Sequence, residues 1–229
     1  MSGNRTQSLT LVFAEGWAMD DRFWEPLAAR FADHELRFCT RRYYLDNAGN
    51  DYGSSAESLL EAGETGWVGI GHSYGFRRLL DCQLANCRGL VSICGFYDFV
   101  ASAGTDARIV RAMVRRMESS PVSVLQKFLE NCGMADQADQ VGRLESEALN
   151  IESLKTDLKA LLAGGPSGQD VEQSVPILSL AASHDKIVPA ALTRSEFEQP
   201  LFHPTAGHSL GFQYSDWCAS HIQEFLRTL

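Results

Sequence analysis

Residues 66–76 read GWVGIGHSYGF. An apolar run from Trp67 to Ile70 stops at Gly71-His72-Ser73-Tyr74-Gly75, and a helical pattern, Phe76-Arg77-Arg78-Leu79-Leu80, follows at once. A serine with glycine two residues away on each side fits a very tight turn from strand to helix. Such a turn strains the serine backbone and leaves no room for side chains two positions away. It lifts the hydroxyl above the sheet edge and aims the next N–H, that of Tyr74, at a reacting carbonyl. The same residues also fit an ordinary Gly/Ser turn, because G-x-S-x-G alone is a weak pattern. An acid and then a histidine farther along the chain would separate the two readings.

Both occur. In "SLAASHDKIVP", Asp185 follows an apolar strand at short spacing, in a loop that Pro189 helps to close. Asp98, soon after the run ending at Cys94, is the competing acid; the spacing and the following Ile-Val-Pro favour Asp185. In "HPTAGHSLGF", His208 follows Gly207 in the loop before the last helix. His203 is the competing base, but it precedes a proline at a strand end and has less freedom to reach Ser73. The order Ser73, Asp185, His208 supplies a nucleophile, an orienting acid and a general base. The oxyanion formed on attack needs at least two preorganised N–H donors. Tyr74 offers one. Trp17, after Gly16 in the loop "FAEGWAMDDRFW", offers the other.

Around these residues, short β-rich runs alternate with helical patterns. Strands are expected at Leu9–Phe13, Leu36–Cys39, Trp67–Gly71, Gly89–Cys94, Val175–Ala182 and within Glu198–Phe202. Helices are expected at Asp20–Phe31, Ser54–Ala62, Gly75–Ala85 and Tyr214–Leu226. This alternation predicts an α/β fold with a mainly parallel sheet of about six strands, helices on both faces, and no hairpin ahead of the first strand. Residues 102–168 break the rhythm, with helical patterns and no strand. They read as a helical cap inserted into a core made of residues 1–101 and 169–229. In "TDARIVRAMVRRM", Ile109, Val110, Met113, Val114 and Met117 share one face. Arg108, Arg111 and Arg115 share the other, with Arg116 at the border. Asn150 and Ser120 are expected helix caps, and Gly133 and Gly164-Gly165 expected stops.

The bulk properties narrow the function. A net charge of −9 argues against nucleic acid as the main partner. No apolar run reaches the ~20 residues needed to span a bilayer, and the N-terminus lacks the pattern of a signal peptide. The six cysteines form no C-x-x-C pair and read as reduced thiols of a cytoplasmic protein. No cofactor and no metal site is expected, and the protein is expected to be a monomer.

Together, "VFAEGWAMDDRFWEPLA", "GIGHSYGF", "SHDKIVP" and "AGHS" resemble the α/β-hydrolase superfamily over nearly the whole chain outside the cap. Gly16-Trp17, "SVLQKFLENCG" and "SHDKIVPA" are similar to the pimeloyl-[acyl-carrier protein] methyl ester esterases of biotin synthesis. That resemblance implies a serine esterase acting on a carrier-bound acyl ester. The Arg face of 108, 111, 115 and 116 would then meet the acidic carrier, and Trp17, Tyr74, Phe96 and Phe99 would line the acyl pocket. The Arg face also reads as a solvated helix surface, and the aromatics as ordinary core. A general carboxylesterase or thioesterase with the same residues is the alternative, and a non-catalytic ligand-binding protein of this fold is the third reading. Two departures stand out: Glu15 precedes Gly16 where many relatives carry histidine, and Phe76 follows Gly75 where a small residue is common.

Overall fold

Alternation along the first strand already divides the interior in two. In β1 (Thr10–Ala14), Leu11 and Phe13 face one core cluster, and Val12 and Ala14 face another. The same split recurs in β3 (Trp67–His72) and β4 (Cys87–Ile93), where Ile70 and Ile93 join the first cluster and Trp67 and Leu90 the second. A sheet apolar on both faces needs a cover on each. The computed structural model describes residues 9–41, 43–44, 66–82, 84–137, 148–165 and 174–229. The helix expected at 54–62 lies outside them.

The six strands, completed by β2 (Glu35–Phe38), β5 (Ile177–Ala182) and β6 (Leu201–His203), form one parallel sheet in the order β2-β1-β3-β4-β5-β6. The order reverses at β1 and β3, and in such sheets the crevice at the carboxyl ends of the reversing strands is where ligands bind. Helix α1 (Glu25–Ala28), α7 (Leu210–Gln213) and α8 (Ser215–Leu226) pack together over the first cluster. The second cluster takes Phe76 and Leu79 from α2 (Tyr74–Leu80), and Phe197 just beyond α6 (Ala190–Glu196). Between β4 and β5 the described residues hold α3 (Ala107–Arg116), α4 (Pro121–Cys132) and α5 (Ile151–Ala160), and no strand of the sheet.

Local chemistry shifts several boundaries. The helix expected over 20–31 is broken: residues Asp21–Trp24 and Ala29–Phe31 are 3-10 turns flanking α1. Pro26 has no N–H to donate to the Arg22 carbonyl, so the ladder cannot run through and the first turn tightens. The last strand, expected within 198–202, begins at Leu201, after Pro200, which cannot donate to the sheet, and runs on to His203. Asn150 caps α5 by accepting from the Ser153 N–H at 3.1 Å, and Gly133 ends α4 with φ 79°. Ser120 precedes α4 without a side-chain capping bond. On α3, Val110 and Met117 are buried as expected, but Ile109 is 56% exposed.

Candidate active site

Ser73 joins β3 to α2 with φ 52° and ψ −123°, a left-handed backbone that a residue with a side chain adopts only under constraint. The constraint is visible at the flanking glycines. A Cβ on Gly75 would sit 1.9 Å from the Ala14 carbonyl oxygen, and one on Gly71 would sit 2.3 Å from the Phe76 Cα. Only glycine lets helix, strand and the end of β1 meet this closely. The loop after β1 presses on the same corner: a Cβ on Gly16 would come within 3.2 Å of the Ser73 Cβ. Trp17 follows Gly16 in that loop, and Tyr74, the first residue of α2, has an N–H with no partner within its own helix.

Asp185 and His208 meet. Their side chains are 2% and 0% exposed, and His208 Nδ1 lies 2.8 Å from Asp185 Oδ2. Asp185 Oδ1 accepts from the N–H groups of Ile187 at 2.7 Å and Val188 at 2.9 Å. The loop thereby fixes the carboxylate and leaves its second oxygen for the imidazole. His208 Nε2 is buried without a hydrogen-bond partner. In the neutral imidazole, an Nδ1–H donated to Asp185 leaves the lone pair on Nε2. The ring lies 4.7 Å from that of His72, the residue before Ser73. His72 donates from Nε2 to the His208 carbonyl at 2.8 Å. Burial, and then the nearby His208, hold the His72 pKa well below the usual histidine value, so His72 stays a neutral donor.

The competing residues are engaged elsewhere. Asp98 Oδ1 accepts from the Val100 N–H at 3.1 Å, in its own turn. His203 Nδ1 accepts from Ala206 N–H at 3.1 Å, and its ring packs 4.1 Å from that of Tyr214 and 5.3 Å from that of Trp217. Cys94 Sγ lies within 4.8 Å of ligand atoms of Asp185 and His208. Burial pushes its pKa well above the ordinary thiol value, so it remains a neutral thiol. None of the six cysteines is in a disulfide.

Ser73 lies in the wall of a cavity of about 830 Å³, within the ~300–1,000 Å³ usual for small-molecule sites. Trp17, Tyr74, Phe96 and Phe99 all line it. The helices after β4 add Val110, Met113 and Phe128, whose role the sequence did not mark. Phe128 also packs edge-on against Trp17 with centroids 4.9 Å apart. Ile109 and Arg116 reach the same cavity, which accounts for an exposed isoleucine. Arg108, Arg111 and Arg115 are exposed and outside the cavity lining. Arg108 is paired with Asp106, the cap of its own helix, at 2.5 Å.

Glu15 resolves differently from a charge beside an oxyanion. It is fully buried, and Oε1 accepts from Arg41 N–H at 2.5 Å and from Arg78 Nη1 at 3.3 Å. Burial outweighs both partners and pushes its pKa up to about 7.

The least foreseen feature is Asp157 on α5. It is 1% exposed, and it accepts from Arg41 Nε at 2.7 Å, from Tyr43 OH at 2.7 Å and from Tyr74 OH at 3.4 Å. Its signal was present: in "NIESLKTDLKALL" a carboxylate falls on the stripe formed by Leu154, Leu158 and Leu161. A charge on an apolar stripe calls for a buried partner.

No protein-family model matches the chain, and no curated protein does. Solved structures do match. An esterase from Exiguobacterium antarcticum superimposes with a TM-score of 0.75 at 13% identity, over 96% of this chain and 92% of that one. A hydrolase from Pseudomonas aeruginosa PA01 gives 0.74 at 14% identity, over 96% and 91%. A bromoperoxidase from Bacillus anthracis gives 0.72 at 15% identity, over 96% and 92%. The protein has the α/β-hydrolase fold. These neighbours are named for different activities, so the fold does not name the reaction; the site must.

Proposed function

We propose that the protein is a serine carboxylesterase working through an acyl-enzyme intermediate. The observation that carries this reading is Ser73, held in a left-handed backbone at the corner between β3 and α2 and opening onto the apolar cavity. Ser73 Oγ attacks the ester carbonyl while His208 Nε2 takes its proton. Asp185 holds the imidazole by Nδ1 and stabilises the imidazolium. The N–H groups of Trp17 and Tyr74 receive the tetrahedral oxyanion. Collapse expels the alkoxide, which leaves with the proton from His208. Water then repeats the sequence on the acyl-serine, releasing the acid and restoring Ser73.

The substrate we propose is pimeloyl-[acyl-carrier protein] methyl ester, with residues 102–168 as a helical cap over the site. The motif resemblance supports it. So do the apolar cavity, suited to an acyl chain, and the exposed arginines of α3, a helix that lines the cavity, suited to an acidic carrier. A general carboxylesterase or thioesterase is the second reading. It is favoured by Arg108, whose charge is already answered by Asp106. Mass spectrometry of a carrier-bound dicarboxylic methyl ester after incubation tests the choice. Cleavage at the methyl ester releases methanol, lowers the mass of the carrier-bound group by one CH2 as a carboxyl replaces the ester, and leaves the thioester intact. Loss of the whole acyl group, or turnover of free esters alone, supports the second reading.

A further inference from the structure

Both proposed oxyanion donors belong to residues whose side chains end on one helix of the region after β4. Trp17 donates from Nε1 to the Leu154 carbonyl at 2.9 Å, a buried bond between residues 137 apart in sequence. Tyr74 donates from its hydroxyl to Asp157 Oδ1 at 3.4 Å. Leu154 and Asp157 lie one turn apart on α5.

The Asp157 carboxylate is itself fixed. Arg41 grips it with two parallel N–H bonds, Nε to Oδ2 at 2.7 Å and Nη2 to Oδ1 at 2.5 Å, and Tyr43 adds a third to Oδ2 at 2.7 Å. A bidentate guanidinium sets the plane of a carboxylate as well as its position. The main-chain N–H of the same Arg41 binds Glu15. Gly16 therefore sits between Glu15, tied to Arg41, and Trp17, tied to α5. One chain of contacts joins the oxyanion loop, the segment after β2, the corner at Ser73 and α5; it is buried at Asp157 and half-exposed at the Arg41 side chain. A leucine at 157 would complete the apolar stripe, and an ion pair to a buried carboxylate contributes little stability over well-packed apolar groups. The carboxylate supplies orientation.

We infer that Asp157 is a positioning residue for the oxyanion hole: through the Tyr74 hydroxyl, and with the Leu154 carbonyl holding Trp17, it sets the two main-chain donors beside Ser73. The inference rests on the esterase reading of that site. Asp157 touches no reacting atom; it acts through Tyr74.

The test uses the full chain with Asp157→Asn, Tyr74→Phe and the double variant. Tyr74→Phe removes only the hydroxyl and keeps the N–H donor, so it carries the test if Asp157→Asn does not fold. Steady-state kinetics use p-nitrophenyl butyrate. Inhibition is measured with an alkyl trifluoromethyl ketone, which adds to the serine and places an oxyanion in the hole. The matching alcohol fills the cavity without one. Losing a whole donor costs about 10²–10³ in rate, so loosening the pair should lower kcat about tenfold, with KM within about threefold. The trifluoromethyl ketone should weaken by a similar factor and the alcohol should not. The double variant should be no worse than the poorer single one. Unchanged kcat in Tyr74→Phe, or equal weakening of ketone and alcohol, overturns the inference and leaves the esterase reading standing. Wild-type protein that ignores the trifluoromethyl ketone and the ester overturns both.

Discussion

Replacing Glu15 with glutamine should change how stability responds to pH, by an amount the structure sets. Glu15 is sealed from solvent, and burial raises its pKa from the ordinary 4.5 to about 7. Across that interval the folded protein holds a proton that the unfolded chain releases. Stability from this group is therefore full below pH 4.5 and is lost as pH rises toward and through 7. At about 1.4 kcal/mol per pH unit the whole loss is about 3.5 kcal/mol, and about 2.5 kcal/mol of it falls between pH 5 and pH 8. Glutamine keeps the acceptor oxygen for Arg41 and Arg78 and has no proton to lose. Glu196, also pushed up to about 7 by burial, contributes a similar slope to both proteins and cancels in the difference. Urea unfolding at pH 5 and pH 8 measures it. The stability difference between Glu15→Gln and wild type should move in favour of the variant by about 2.5 kcal/mol on going from pH 5 to pH 8. A difference constant within about 0.5 kcal/mol would refute the reasoning. It would mean that Arg78 keeps the carboxylate ionised across the range.

Gly75→Ala should cost about 3 kcal/mol or more, read as a lowered Tm, because the new methyl would meet the Ala14 carbonyl at 1.9 Å. His208→Ala should lose ester hydrolysis while His203→Ala keeps it, and Asp185→Asn should lose more activity than Asp98→Asn; the reverse pattern in either pair would reassign that role. Substituting Arg108, Arg111 and Arg115 together by alanine should raise KM for a carrier-bound ester and leave p-nitrophenyl ester turnover unchanged. Added salt should slow only the carrier-dependent reaction, since exposed charges are screened over about 10 Å at 0.1 M. If the triple variant treats both substrates as wild type does, the carrier reading falls and the general esterase reading takes its place.

Much of this site is legible in the sequence because its constraints are local. Ser73 between Gly71 and Gly75 announces a turn that admits no Cβ, and the short step from an apolar strand to Asp185 announces a loop at a strand end. Strand alternation, as in Leu11 and Phe13 against Val12 and Ala14, announces a sheet covered on both sides. A boundary slips where a missing N–H acts, at Pro26. Long-range pairings are the harder part. Asp157 stands out on its helix stripe, but its partners Arg41, Tyr43 and Tyr74 lie 83 to 116 residues away, where no spacing rule reaches. Glu15 reads as a charge beside the oxyanion because nothing nearby in sequence names Arg78 as its partner. Ile109 reads as core because helical periodicity separates apolar from polar faces, and cannot tell a packed interior from a cavity wall.

The central claim is that Ser73 is a nucleophile activated by His208. The most direct measurement is labelling with a fluorophosphonate, followed by peptide mass spectrometry. The label should appear on Ser73 in wild-type protein, be absent from Ser73→Ala, and form far more slowly in His208→Ala, with all three proteins sharing the same circular dichroism. A label on another residue, or a folded wild type that takes none, would contradict the account.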